Sequence, residues 1–481
     1  MRVVAPARTY RTGLWADGED LGPWVLGSEG SLGIITELLV RVVRLPERRW
    51  LRGYRFPSVA VAWGAMRRVM QAELHPCALR LYDAVDTRIG GRGKGAAKGK
   101  GILSTLTSAV NAAPGTRELS LRIPLSVPRL ANALARWGGR ECVLIAGWEG
   151  PPETVSILSR HGHDILTGEG TDLGAEPGEH WYAHRHDVSY KMSPLFGRGV
   201  FADTMEVAST WSRLPELDRL VRAALGKHCF VMAHYSHVYR EGCSIYFSFA
   251  GVGELEVYDR AWADALAAAA MAGGTVAHHH GVGVSKMLAA ARELAGVRPA
   301  FHALRRSLDP VGVLNPGRIF PEVPITSAVR PEIGIDEVSA IATLDAQQPA
   351  AERDTWLAER GWVLRNPTET PLAHAVRTPA APWETPVLGC SVVDAAGIRT
   401  VLLPVPRSSA GPDPRRVLPV DAYETLTVPV VRLADALAVV SETAFDVRPA
   451  RTVGHQHELR GPAAKELARL CVPPLTSPAT P

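Results

Sequence analysis

The sequence predicts an α+β protein, with an antiparallel sheet and covering helices over residues 48–320 and an α/β extension after them. Three observations carry that expectation. Strand-like and helix-like stretches alternate along 48–320. Two of the strongest strands adjoin through Glu241-Gly242, a turn signal that joins them as a hairpin. After Pro321 the chain becomes Pro-dense and poor in aromatics, which marks a separate region.

In chain order, residues 1–47 contain a glycine-rich turn, Gly27-Ser-Glu-Gly-Ser-Leu-Gly33, then Ile-Ile-Thr-Glu37. The following LLVRVVRL is β-branched and is expected as a strand stopped by Pro46. WLRGYRF reads as a strand, and VAVAWGAMRRVMQAEL as an amphipathic helix ended by His75-Pro76. ECVLIAGWEG is a buried strand, ETVSILSRHG a helix and VFADTMEVA another strand. The helix LPELDRLVRAALGKH carries Pro215 in its first turn, where a missing N–H costs nothing. CFVMAHYSHVY and CSIYFSFAG form the hairpin, and LEVYDRAWADALAAAAMAGG is a long helix stopped by Gly273-Gly274. The run from Gly90 to Gly101 has six glycines but lacks the spacing of a phosphate-binding loop, so an insertion or lid is expected there. Residues 321–334 form a Pro-rich linker. Within 335–481, Ile335–Leu344, Glu352–Trp362 and Val387–Gly397 read as a strand, a helix and a hairpin. Val417–Leu433 faintly repeats Val25–Leu38 without its glycines, so a degenerate copy of the N-terminal unit is one reading of this region.

Composition excludes several classes. A net charge of +4 over 481 residues gives no nucleic-acid footprint, and no apolar run is long enough to span a membrane. The first residues lack the apolar stretch of a secretory signal. Six cysteines lie far apart with no paired spacing, the pattern of a reduced cytoplasmic protein.

Chemistry concentrates in His278-His279-His280, which follow the glycine stop and precede Gly281. Imidazoles titrate near neutrality and exchange protons with a substrate hydroxyl. In an extended chain His278 and His280 would point one way and His279 the other. Tyr246 on the hairpin is a candidate acid; as a structural residue it would be a strand tyrosine with a satisfied hydroxyl. Arg80 is a candidate for orienting substrate, or otherwise for an ion pair with Asp83 or Asp86. A metal site drawing on His234 and His237 is the competing use of the histidines; no carboxylate or thiol pattern accompanies them, and no metal is expected.

Taken in order, the run Gly27–Glu37, Arg80-Leu-Tyr-Asp83, Ser244–Phe249, His278–Gly283 and Asp309–Gly317 resembles the vanillyl-alcohol-oxidase-type flavoproteins. Within them it is most similar to the alkyldihydroxyacetonephosphate synthases and their bacterial relatives. The resemblance implies a remnant of an FAD-binding, PCMH-type half-domain over 1–47 and an FAD-linked oxidase cap domain over 48–320. It implies FAD as cofactor, held along Gly27, Ser28, Glu29, Gly30, Ser31, Gly33, Ile34 and Ile35, with Asn315 from the last motif. Glycines there let backbone N–H groups close on a diphosphate. It also implies that the three histidines line the substrate end of the flavin, with Tyr246 and Arg80 beside them and chemistry at flavin N5 on a hydroxyl- or acyl-bearing small molecule. Two departures qualify this. The family's phosphate-reading arginine falls at Met192, which carries no charge, and the Gly-rich loop on the other side of the diphosphate is not found in this chain. The second expectation is therefore a non-catalytic subunit, a homo-oligomer or a partner of another chain that supplies the missing half-domain.

Overall fold

The computed structural model describes residues 1–13, 20–40, 42–89, 125–186 and 200–321, and 327–471 apart from 367, 369, 376–386, 395, 407, 409–410, 412, 414–419, 434–436, 441–450 and 454–455. The run Gly90–Gly101 and the Tyr190–Met192 segment lie outside the described residues. Three short strands open the chain: β1 (Arg2–Val4), β2 (Thr9–Arg11) and β3 (Ile34–Glu37), in the order β2-β1-β3.

The central element is a seven-stranded antiparallel sheet. Its strands are β4 (Arg48–Phe56), β5 (Ala78–Tyr82), β6 (Cys142–Gly150), β7 (Thr171–Gly174), β8 (Val200–Thr210), β9 (Phe230–Val238) and β10 (Gly242–Val252). They lie in the order β7-β4-β6-β5-β9-β10-β8. Alternation along each strand separates two faces. Met205, Val207, Val231, Ala233, Ile245 and Phe247 enter the main core. The helices Val59–Gln71, Leu214–Leu225 and Leu255–Met271 cover that face through residues such as Met66, Leu217, Val221, Ala265 and Ala269. Ser58 starts the first of these helices by accepting a hydrogen bond from the Val61 N–H, and Pro215 sits in the first turn of the second. The alternate residues of β5, β8, β9 and β10 face the other way and carry the polar groups described below.

A second antiparallel sheet follows the linker. It contains β11 (Gly334–Asp336), β12 (Ile341–Asp345), β13 (Trp362–Leu364), β14 (Gly389–Val393), β15 (Arg399–Leu402) and β16 (Tyr423–Arg432). The order is β11-β12-β16-β14-β15, with β13 on β16. Together with the helix Ala350–Ala358 this is a mixed helix-and-sheet unit. It joins the cap through Glu73, which meets Arg365 at 3.0 Å, and through Arg240, which lies 3.4 Å from Glu73 within the cap and donates to the Val430 carbonyl of β16 at 2.7 Å. The expected hairpin is present as β14 and β15, turning at Asp394–Ile398.

Two expectations are corrected. The described residues Leu38–Val40 and Val42–Leu45 form no strand. β1 is three residues long and its pairing with β3 ends at Arg2↔Glu37, so no strand edge lies beside the segment that follows. Its apolar side chains stand in solvent, with Val42 82% and Leu45 89% exposed. Ile335–Leu344 is not one strand but a hairpin, with Ala340 in the left-handed region at φ 53° before β12 begins. Val25–Leu38 and Val417–Leu433 also differ locally, since the first holds a turn and a four-residue strand, and the second the ten-residue β16 at the centre of a sheet. Among the described residues no helix is long and apolar enough to cross a membrane. Cys142, Cys229, Cys243 and Cys390 are buried free thiols, and Cys77 is an exposed one.

Candidate active site

Strand register builds the site. Tyr82 on β5 lies opposite His234 on β9, His234 opposite Tyr246 on β10, and Tyr246 opposite Glu206 on β8. Cross-strand neighbours share one face of a sheet, so the four side chains form a row on the face away from the helices. The His234 ring stacks on Tyr246 with centroids 4.7 Å apart and planes 13° apart. Its Nδ1 lies 3.6 Å from Asp86.

A β-bulge adds a residue to this face. Between Cys243 and Ile245 the β9–β10 register shifts, so that two residues of β9, Ser236 and His237, stand where regular pairing would place one. Strict alternation from His234 would turn His237 to the core. Instead its ring meets His279 at 4.6 Å, His278 at 5.4 Å and Tyr246 at 6.0 Å. Although His237 keeps an exposed edge, desolvation by its crowded neighbours, then the nearby His279 and His278, push its pKa down to about 4. It is a neutral imidazole at pH 7.

The three histidines wrap around Glu206. The N–H groups of His279 and His280 both donate to its carboxylate, so this segment curls around an anion rather than running extended. That corrects the expected alternation. His278 is buried at 3%, whereas the side chains of His279 and His280 are each 41% exposed. The His278 Nδ1 lies 3.1 Å from Glu206 Oε1 and its Nε2 2.9 Å from the Tyr239 hydroxyl, so both ring nitrogens are engaged. His279 Nδ1 is 2.9 Å from the same carboxylate, and its Nε2 is 3.1 Å from the Tyr246 hydroxyl. His279 Nδ1 also lies 3.0 Å from His278 Nδ1 and 3.3 Å from the Tyr246 hydroxyl, so a proton on Nδ1 would face both Glu206 and His278 and leave Nε2 free to accept. Tyr246, His279 and Glu206 thus place an acid, a base and a carboxylate that can stabilise the protonated base in one cluster.

Burial alone would raise the pKa of Glu206. The His278 hydrogen bond and the Lys286 ammonium, 3.4 Å from Oε2, outweigh it and hold the carboxyl far below its usual range. Burial also pushes Tyr246 well above a free phenol, helped by the nearby Glu206 charge. The Tyr246 hydroxyl therefore keeps its proton at neutral pH.

Glu206, His278 and His279 also have the spacing of metal donors, with ligand atoms within 4.8 Å of one another. The sequence showed no carboxylate near the histidines; β8 brings one from more than 70 residues upstream. Two backbone N–H groups and Lys286 already surround Glu206, and the ammonium would oppose a dication at Oε2.

Arg80 makes neither expected ion pair. Asp83 binds Arg222 at 3.0 Å, and Asp86 faces His234. The Arg80 guanidinium sits 5.2 Å over the Tyr82 ring, and its buried Nε has no hydrogen-bond partner among the described residues. The buried hydroxyls of Ser236 and Ser244 are likewise unpaired.

The glycine-rich turn is tied to the histidine loop. Glu29, at φ 49°, accepts from the N–H groups of Val282 and of Gly283, and the Asn315 amide donates to the Glu29 carbonyl at 2.6 Å. The side chains of Glu29 and Asn315 thus join loop to loop. The N–H groups of Ser28 and Ser31 close turns within the loop. Gly30 differs: its φ is 78° and nothing lies within 4 Å of where a Cβ would stand. Its backbone is an open, left-handed edge of the kind a flavin diphosphate can approach, and Ile34 and Ile35 beside it are 61% and 40% exposed. Gly33 is required by the protein itself, since a Cβ there would lie 2.5 Å from Val3 Cγ1. The loop therefore fits FAD at Gly30 and its exposed neighbours. Sequence reasoning missed Glu206 and Lys286, and named His237 only as a ligand of the competing metal site. Nothing in the sequence marked the first two, and a shifted register marks the third only after folding.

The family described as "FAD linked oxidases, C-terminal domain" matches residues 45–319. The alkyldihydroxyacetonephosphate synthase of Trypanosoma brucei brucei is 28% identical over 340 residues, covering 67% of this chain and 52% of that protein. The Dictyostelium discoideum synthase is 28% identical over 313 residues, covering 62% and 48%. A solved alkyldihydroxyacetonephosphate synthase structure matches with a TM-score of 0.48 at 25% identity, covering 66% of this chain and 52% of that one. The chain spans about half the length of the curated relatives it matches. With more than half of its residues matched, the chain belongs to the FAD linked oxidases through their C-terminal domain, a family whose cofactor is FAD.

Proposed function

We propose that the protein is a flavoenzyme acting on a hydroxyl- or acyl-bearing small molecule, with His279 as the base, Tyr246 as the acid and Arg80 orienting the substrate. The observation that carries this reading is the Tyr246–His279–Glu206 cluster, in which a half-exposed imidazole lies between a tyrosine hydroxyl at 3.1 Å and a buried carboxylate at 2.9 Å. FAD, when bound, supplies electrophilic chemistry at N5, taking up a hydride or a substrate carbon. Gly27, Gly30 and the exposed edge of Ile34 and Ile35 would hold it. His279 then receives the proton of the substrate hydroxyl and Glu206 stabilises the resulting imidazolium. Tyr246, whose proton is retained at pH 7, donates to a leaving oxygen. His237, neutral at pH 7, is a second acceptor at the same opening.

A second reading has one specific observation in its favour. Leu38–Leu45 is an uncovered apolar strip, with Leu38, Leu39, Val40, Val42, Val43 and Leu45 all at least 59% exposed. Such a strip marks a contact surface. It favours a subunit completed by another chain, or by a second copy, that covers this strip and closes the flavin site. One titration separates the two: FAD is added to the purified chain, alone and with candidate partners, and flavin absorbance near ~450 nm is followed after desalting. Stoichiometric retention by the chain alone supports the autonomous enzyme. Retention only with a partner supports the subunit, and no retention in either case ends both readings.

A further inference from the structure

Behind the histidine loop lies a second, half-buried carboxylate that the proton chain does not use. Glu293 ends the helix Met287–Glu293. Its Oε2 accepts from the Val276 N–H at 3.0 Å, and its Oε1 lies 2.8 Å from the Thr275 hydroxyl and 3.2 Å from the Ser408 hydroxyl. Thr275 and Ser408 are themselves 2.9 Å apart, which closes a ring of three side chains. Thr275 also donates its N–H to Ala208 of β8, two residues beyond Glu206. The ring therefore holds the chain just ahead of His278, and Glu206 holds it from His278 onward.

Ser408 comes from the region after the linker, outside residues 45–319. Its neighbourhood is seated on the same part of the cap. A Cβ at Gly296 would collide with the Thr400 side chain, and one at Gly411 would lie 2.8 Å from both Leu294 and Phe320. Thr400 and Gly411, the described residues making these contacts before and after Ser408, therefore pack against the cap. Burial pushes the Glu293 pKa up, opposed by the Val276 N–H and the Thr275 hydroxyl, while Lys286 pairs with Glu206 nearby.

We propose that Glu293 and Ser408 are positioning residues for the candidate catalytic histidines. Through Thr275 and Val276 they set the entry of the His278–His280 loop, so that the C-terminal region is part of the support of the site. The inference rests on the catalytic reading of that loop, but its test does not. Amide hydrogen exchange, read by mass spectrometry on the full chain, compares the peptide covering 274–283 with one covering β6. Ser408→Ala is expected to speed exchange in 274–283 roughly threefold to tenfold, the span that loss of one hydrogen bond allows. Exchange in β6 should stay unchanged. Glu293→Gln, which keeps the shape but has one acceptor oxygen in place of two, should do the same. Ser408→Thr restores the hydroxyl and should restore protection. With ¹³C-labelled histidine, the His279 Cε1 resonance should move in Ser408→Ala and return in Ser408→Thr. Unchanged exchange in 274–283 overturns the proposal. So does equal acceleration in β6, which would make Ser408 a contributor to global stability alone. Failure of the catalytic reading shows separately, as flavin chemistry that Tyr246→Phe leaves unaltered.

Discussion

The two large sheets are both antiparallel and both packed into the same core, yet their central cross-strand rows carry different polar groups. In the second sheet, facing hydroxyls satisfy one another across the register: Thr343 meets Thr427 at 2.9 Å, and Ser391 meets Thr425 at 2.7 Å. Each pair is neutral and complete. In the cap sheet the corresponding cross-strand row holds Tyr82, His234, Tyr246 and Glu206, all ionisable side chains. Such a row persists only because a loop and a lysine close over its carboxylate. Hydroxyl pairs make a stable sheet, whereas a row of ionisable groups needs outside partners, and those partners create a site.

Removing the centre of the titratable row should have the largest effect. Glu206→Leu strands Lys286 and leaves two loop N–H groups without an acceptor, and should cost about 3–5 kcal/mol in urea unfolding. An unchanged midpoint would mean that the carboxylate does not organise the loop. The same group fixes a pH dependence. Because its folded pKa lies below its unfolded value, its stabilisation is present above ordinary carboxylate pH and is lost as pH falls below ~4.5. Glu206→Gln should flatten that acid limb of the stability curve.

A comparable loss is expected at the joint between the regions. Glu73→Ala leaves Arg240 and Arg365 facing each other across it and should cost about 3 kcal/mol in the same measurement. It should not move the His279 resonance. If it did, the two sheets would be coupled through more than the Ser408 ring.

A sharper contrast comes from Tyr246→Phe. It removes one hydroxyl and should change stability by only about 1 kcal/mol, while slowing turnover of an identified substrate by about 100-fold or more. A large loss of stability with no loss of rate would return Tyr246 to the structural class of the second sheet.

His237 gives a smaller, pH-resolved test. Its folded pKa is about 4, below that of an unfolded histidine. As pH falls from ~6.5 toward 4, the unfolded chain gains a proton that the folded one refuses, so stability should decline over that window. His237→Gln should remove that part of the decline. The smallest effect is expected at Gly30→Ala, which introduces no clash and should cost about 1 kcal/mol for its left-handed backbone. It should weaken FAD retention, whereas Gly33→Ala should destabilise the first sheet by colliding with Val3.

Much was legible beforehand. The β9–β10 hairpin, the helices with Pro215 in a first turn and Gly273-Gly274 at a stop, and the histidine run were all visible because their signals are local. Leu38–Leu45 misled for a related reason: β-branched composition describes a segment suited to a strand, but a strand also needs an edge to pair with, and β1 ends too soon.

By itself, then, the sequence determined the elements, their α+β class, the flavoprotein motifs and the residue types able to move a proton. Only the tertiary structure decided which of those residues meet. Glu206 reaches the histidines by strand register, His237 by a one-residue bulge, and Ser408 by the packing of a distant region on the cap. The physical reason is that a pKa, a tautomer or a loop entry depends on groups within a few ångströms, and in this chain those groups lie tens to more than a hundred residues apart in sequence.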